Sequence, residues 1–143
     1  MNYLSEAEKK QITEAIKAAE RNTSGEIKVH IEEHCPVDDP MERAKEVFYF
    51  LCLDNTAFRN GVLFYVAFAE RKYAILGDIG IHEKCGDDLW QEESKILIEH
   101  FSKGETVEGL SLAIKRVGLE LKNYFPFDQK GDTNELSDEI SFS

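Results

Sequence analysis

Between Glu26 and Glu33 the chain alternates, with Ile27, Val29 and Ile31 set between Glu26, Lys28, His30 and Glu32. A period of two is the pattern of a strand with one face on a core and the other toward solvent. Upstream, Leu4, Ala7, Ile12, Ala15, Ile16 and Ala19 recur at helical spacing. Ser5 followed three residues later by Glu8 marks a capping box, so a helix is predicted over about Ser5–Arg21, ended by the polar run Asn22 to Gly25.

After the strand, Asp39 reads as an N-cap and Pro40 as the first residue of a second helix. Its inward stripe is Met41, Ala44, Val47, Phe48 and Leu51. The run Gly61 to Ala69 is apolar on both faces, as in a central strand covered on each side. Glu70 and Arg71 make a turn, and Lys72 to Gly77 returns as an antiparallel partner. Two more helices follow. One runs over about Asp87–Ser102 with Trp90, Leu97 and Phe101 inward; the other covers about Thr106–Tyr124 and is stopped by Pro126. This order predicts an α/β fold, a small mixed β-sheet sandwiched between about four α-helices. It forms one domain over residues 1–126, followed by a polar, mobile tail over 127–143.

Composition narrows the function. With 28 acidic against 17 basic residues the formal net charge is -11, which argues against nucleic acid and against an anionic membrane surface. No apolar run approaches the ~20 residues that span a bilayer, and the start has no basic flank leading into an apolar stretch. Cys35, Cys52 and Cys85 are odd in number and irregularly spaced, as expected of reduced thiols. The expectation is a cytoplasmic monomer with neither nucleic-acid nor membrane partners.

The strand order points to one end of the sheet. A strand–helix–strand unit makes the first two strands parallel, so the antiparallel third strand ends beside their starts. Asp78, between Gly77 and Gly80, is thereby placed near Glu26 and near Arg59-Asn60-Gly61. Asp87 and Asp88 leave from the same end, and the tail carboxylates Asp132 and Glu135 can return to it. Carboxylates gathered at loop ends repel one another unless a cation or a proton relieves them, and oxygen ligands suit Ca2+ or Mg2+. Asp78 also suits plain turn chemistry, and Asp87 or Asp88 a helix cap. Other constellations fail. His30 and His34 sit about 13 Å apart along a strand, too far to share a metal, and Gly77-x-x-Gly80 lacks the full dinucleotide fingerprint.

Three stretches carry a resemblance: "TSGEIKVHIE", "FRNGVLFYVAFAERKYAILGDIGIHEKCGDDLW" and "YFP" with "NELSDEI". They resemble the TPM-domain family over nearly the whole chain. The resemblance implies an α/β sandwich and divalent-cation binding at apical loops, with acid phosphatase activity proposed for some members. Glu26, Asn60-Gly61, Asp78-Ile79-Gly80 and Asp87/Asp88 fall on the family's characteristic positions, and His82-Glu83 departs from its usual pattern. The resulting expectation is a Ca2+- or Mg2+-binding domain with Glu26, Asp78, Asp87, Asp88 and Asp132 as metal ligands, acting through an unidentified protein partner. The alternative is a weak metal-dependent acid phosphatase, against which stands the single nearby basic residue, Arg59.

Overall fold

A computed structural model describes residues 4–86, 90–126 and 140–143. Its elements are α1 (Glu6–Glu20), β1 (Glu26–Glu32), α2 (Pro40–Phe50), β2 (Gly61–Ala67), β3 (Lys72–Gly77), α3 (Ile79–Cys85), α4 (Gln91–Ser102), α5 (Thr106–Lys122) and β4 (Ser141–Phe142). The predicted caps are formed. Ser5 and Glu8 make the reciprocal capping box of α1, and Asp39 accepts from the Met41 amide at 2.9 Å to start α2.

The sheet has the order β3-β2-β1-β4. β1 and β2 are parallel, with Glu26 opposite Gly61 and Glu32 opposite Ala67; β2 and β3 are antiparallel, with Val62 opposite Gly77. Alternation then divides the core. Ile27, Val29, Ile31, Val62, Phe64 and Val66 meet buried residues of α1, α4 and α5. On the other face Leu63, Tyr65, Ala67 and Ala74 meet Ala44, Val47 and Phe48 of α2, together with Leu53. The mixed sheet between helices is thus the predicted α/β arrangement. No helix among the described residues is long and apolar enough to cross a membrane.

Three details depart from the expectation. Ile79–Cys85 is an additional helix, and α4 starts at Gln91 rather than near Asp87. The tail is not polar coil to its end, because Ser141 and Phe142 pair with His30 and Ile31 in parallel as a fourth strand. Residues 127–139 lie outside the described residues. The third departure concerns the polar face of β1, which was expected to meet solvent. Glu26, His30 and Glu32 are instead buried.

Hydrogen bonding makes that burial tolerable. Arg43 from α2 donates through Nε and Nη2 to the two oxygens of Glu32 at 2.8 and 3.0 Å, and the Tyr65 hydroxyl donates to Glu32 Oε2. Burial alone would raise the Glu32 carboxyl, but the hydrogen bonds from Arg43 and Tyr65 outweigh it and hold the group below its ordinary range. The triad also ties α2 to both β1 and β2. The His30 ring is held between two hydroxyls, with Nδ1 2.6 Å from Ser141 Oγ and Nε2 2.7 Å from Ser143 Oγ. Burial lowers its pKa, Arg43 and Lys28 add to the effect, and Glu32 opposes it.

The direction of that shift fixes a pH dependence. Folded His30 prefers to be neutral, so as pH falls below 6.5 the unfolded chain takes up the proton first, and stability declines with acid through that window. An NMR titration of the His30 ring is expected to give a midpoint below 6.5. Deleting residues 140–143 should move it up toward the ordinary value. An unchanged midpoint would mean that the fourth strand does not cause the burial.

Candidate functional site

At the end of the sheet where β1 and β2 begin and β3 finishes, three backbone hydrogen bonds align the chain. The Glu26 amide donates to the Asn60 carbonyl at 3.3 Å, the Asp78 amide to Gly61 O at 2.9 Å, and the Gly80 amide to Arg59 O at 2.9 Å. Glu26, Gly61 and Asp78 therefore form one row across the sheet. With strands ~4.8 Å apart, the first and last of the row have Cα atoms roughly 10 Å apart. The Leu53 carbonyl crosses the middle of the row, where a Cβ on Gly61 would come within 2.7 Å of its oxygen. Glu26 and Asp78 are thus brought to the same end but not onto one point.

The glycine after Asp78 has the same cause. α3 turns back beneath the 58–59 backbone so closely that a Cβ on Gly80 would stand 2.3 Å from Phe58 O and 2.6 Å from Arg59 O. Asp78 starts that helix, accepting from the Ile79 amide at 2.8 Å. Its carboxylate also receives both prongs of Arg59, Nε to Oδ2 at 2.7 Å and Nη2 to Oδ1 at 3.0 Å. Arg59 has φ 50°, a left-handed backbone that costs a residue with a Cβ roughly 1–2 kcal/mol. The bidentate pair and the Gly80 amide hold it there. Asp78 is therefore a helix cap and an ion-pair partner before it is anything else.

The neighbouring Asn60 side chain differs. It is fully buried, its Nδ2 donates to Ser24 Oγ at 3.4 Å, and its Oδ1 has no hydrogen-bond partner. An orphaned buried acceptor costs about 1–3 kcal/mol. Of the other predicted ligands, Asp87, Asp88 and Asp132 lie outside the described residues. Among the described residues no group of three or more His, Cys, Asp or Glu side chains is placed to hold a metal ion.

A second polar anomaly was not anticipated from the sequence. Glu93 on α4 is 0% exposed and neither carboxylate oxygen has a hydrogen-bond partner; Arg116 Nε on α5 is likewise buried and unpaired. Burial raises the Glu93 pKa, and Glu120 and Glu92 add to the effect; the residue's own backbone amide and the Arg116 charge oppose it. The signal was available in the helical period. Glu93, Leu97 and Phe101 are spaced by four, so the stripe that turns Leu97 inward also turns Glu93 inward.

The fold has counterparts in known proteins. The family model of the TPM domain matches residues 1–119. The NMR structure of the BA42 protein from the psychrophilic bacterium Bizionia argentinensis is similar at a TM-score of 0.92 and 39% sequence identity, over 99% of this chain and 97% of that one. The NMR structure of the N-terminal domain of the cg2496 protein from Corynebacterium glutamicum shares the fold at a TM-score of 0.62 and 14% identity, over 98% of this chain and 81% of that one. No curated protein matches the chain.

The sign for Glu93 is opposite to that for His30. Its folded carboxyl holds the proton to higher pH than the unfolded one, so its contribution is complete in acid and is lost as pH rises. Replacing it by Gln keeps the shape and removes the charge. Glu93→Gln is expected to raise the melting temperature at pH 7, because a neutral amide is less costly to bury than a carboxylate. The gain should shrink toward pH 4 in thermal melts of the two proteins, and a melting temperature lowered at pH 7 would mean that the ionised carboxylate is needed.

Proposed function

The chain belongs to the TPM-domain family, and from that premise we propose that it binds a hard divalent cation, Ca2+ or Mg2+, at the start of its parallel strands and acts through a protein partner. The observation that carries the reading is the buried Asn60 Oδ1, an oxygen with no hydrogen-bond partner beside the start of β1. Hard cations take carboxylate and amide oxygens. Asn60 Oδ1 and the Glu26 carboxylate are the donors the described residues offer, and Asp87, Asp88 and Asp132 are proposed to complete the set. Asp78, committed to Arg59 and to α3, is assigned the task of positioning the 58–61 segment. Bound there, a cation would supply positive charge where the fold gathers buried oxygens.

The partner half of the reading is supported by an exposed apolar rim around the same end. Phe50 and Phe58 are 84% and 61% exposed, with Tyr49 and Ile79 beside them also open to solvent. Apolar surface gathered in this way is a recurrent mark of a contact site.

The alternative, hydrolysis of phosphate monoesters by metal-activated water, is favoured by one feature, the half-exposed Arg59 guanidinium. Phosphoryl transfer calls for several positive groups on the transferring oxygens, and Arg59 is held by Asp78. Turnover of p-nitrophenyl phosphate is expected to be feeble with either ion. Robust turnover lost in Arg59→Ala would favour the alternative.

The cation reading is tested by melting wild type, Glu26→Gln and Asp78→Asn with and without each ion, and by following amide shifts during the titration. Wild type should gain about 2.7 kcal/mol at a hundredfold excess over Kd. Glu26→Gln should lose most of that gain. Asp78→Asn should keep it while starting from a lower metal-free stability, because Arg59 loses its charged partner. Shifts that spare Glu26 and Asn60, or no response to either ion, would remove the reading.

A further inference from the structure

β3 is an outer strand of the sheet, and the phase of its hydrogen bonds is known. The Asp78 amide donates to Gly61 O, and the register places Leu76, Ala74 and Lys72 opposite Leu63, Tyr65 and Ala67. Those alternate residues bond to β2, so Tyr73, Ile75 and Gly77 turn their N–H and C=O groups outward. Among the described residues no backbone group outside the sheet pairs with them.

An edge of this kind is ordinarily blunted by proline, by a bulge or by a covering element. Here the strand is unbulged and carries no proline. It is also recessed. The strand forms the floor of a groove of about 760 Å³ between α2 and α4, and the Ile75 side chain is packed into the core beneath it. Met41 and Lys45 stand on one wall, Trp90, Ser94 and Lys95 on the other. A bare, apolar strand edge between two helical walls is the receptor geometry for addition of an extended segment.

Charge selects the occupant. In a chain of net charge -11, this groove has a lysine on each wall. Among the described residues the acid that lines it, Asp39, is engaged as the cap of α2. Lys45 and Lys95 rest on Glu42 and Glu92 at 3.5 and 3.4 Å in exposed pairs one helical turn apart, which are weak and open to exchange. A second copy of the chain fits poorly. Its own β3 is recessed between the same two helices, so edge-to-edge pairing would drive the walls together and set lysine against lysine.

We propose that the outer edge of β3 docks an extended, acidic peptide segment of a partner protein by strand addition. The backbone of the segment pairs with Tyr73, Ile75 and Gly77. Its side chains alternate across the groove, carboxylates meeting Lys45 and Lys95 and apolar groups meeting Met41 and Trp90. This takes up the partner half of the proposed function and is independent of the cation half.

The test is run in chelator, so that failure here and failure of the cation site are distinguishable. A random library of linear peptides about seven residues long, matched to the length of a strand, is displayed on phage and selected on the immobilised full chain. Enriched sequences should lack proline and carry Asp or Glu, and apolar residues, at both odd and even positions, because successive side chains face opposite walls and each wall offers one lysine and one apolar group. A synthetic copy of the leading peptide should slow amide exchange at Tyr73, Ile75 and Gly77, and N-methylation of its alternate amides should abolish binding. Lys45→Glu together with Lys95→Glu, both exposed positions that leave the fold intact, should weaken it at least about tenfold. No enrichment, a basic or proline-rich consensus, or protection confined to the Phe50–Phe58 rim would overturn the proposal.

Discussion

Both faces of the sheet must be kept from water, but the chain supplies helices unequally: α1, α4 and α5 cover one face, and α2 is the helix packed on the other. A single helix spans about two strands of width, and it lies over β2 and β3. What remains is closed by other means, and most of the unusual features follow from that shortfall. The backbone of residues 51–60 is drawn down onto the sheet until its carbonyls touch Gly61 and Gly80. The uncovered part of β1 carries Glu26, Lys28, His30 and Glu32, polar groups that can be closed over by hydrogen bonds where no apolar cover reaches.

This arrangement decides what could be read from the sequence. The inward stripes of α1 and α2 and the two-sided apolarity of β2 were legible because their surroundings are apolar and continuous. The burial of Glu32 was not, since it depends on Arg43 and Tyr65, which approach from elements distant in sequence. α3 was hidden because its seven residues are too few to display a period and its start lies in what reads as a glycine turn. β4 was hidden because two residues in a polar tail carry no pattern at all. At the candidate site, the row from Glu26 to Asp78 was legible from strand order alone. The commitment of Asp78 to Arg59 was not, because an ion pair is a matter of ångströms rather than of topology.

Buried polar atoms without partners are uncommon enough that each calls for a reason. Among the described residues they include Asn60 at the start of the strands, Glu93 on α4 with Arg116 on α5, and the Ser111 hydroxyl, also on α5. The contrast with Glu32 is instructive. That carboxylate is also buried, yet Arg43 donates to both its oxygens and Tyr65 to one of them, and it serves cohesion. Departures from full hydrogen bonding, rather than burial itself, are what separate a site that can accept something from one that only holds the fold together.

The two margins of the sheet are closed with unequal strength. β1 is capped by two residues of β4, whose contact with His30 spans 111 positions of sequence. A pairing of two residues contributes few hydrogen bonds to the sheet. Short pairings at chain ends are where folded proteins in general open first. Each such opening bares the flank of a strand whose other neighbours stay folded, which is the template that edge-to-edge association between chains requires. Association between chains through that flank is opposed by the strongly negative surface, which keeps molecules apart while the two-residue pairing is undone.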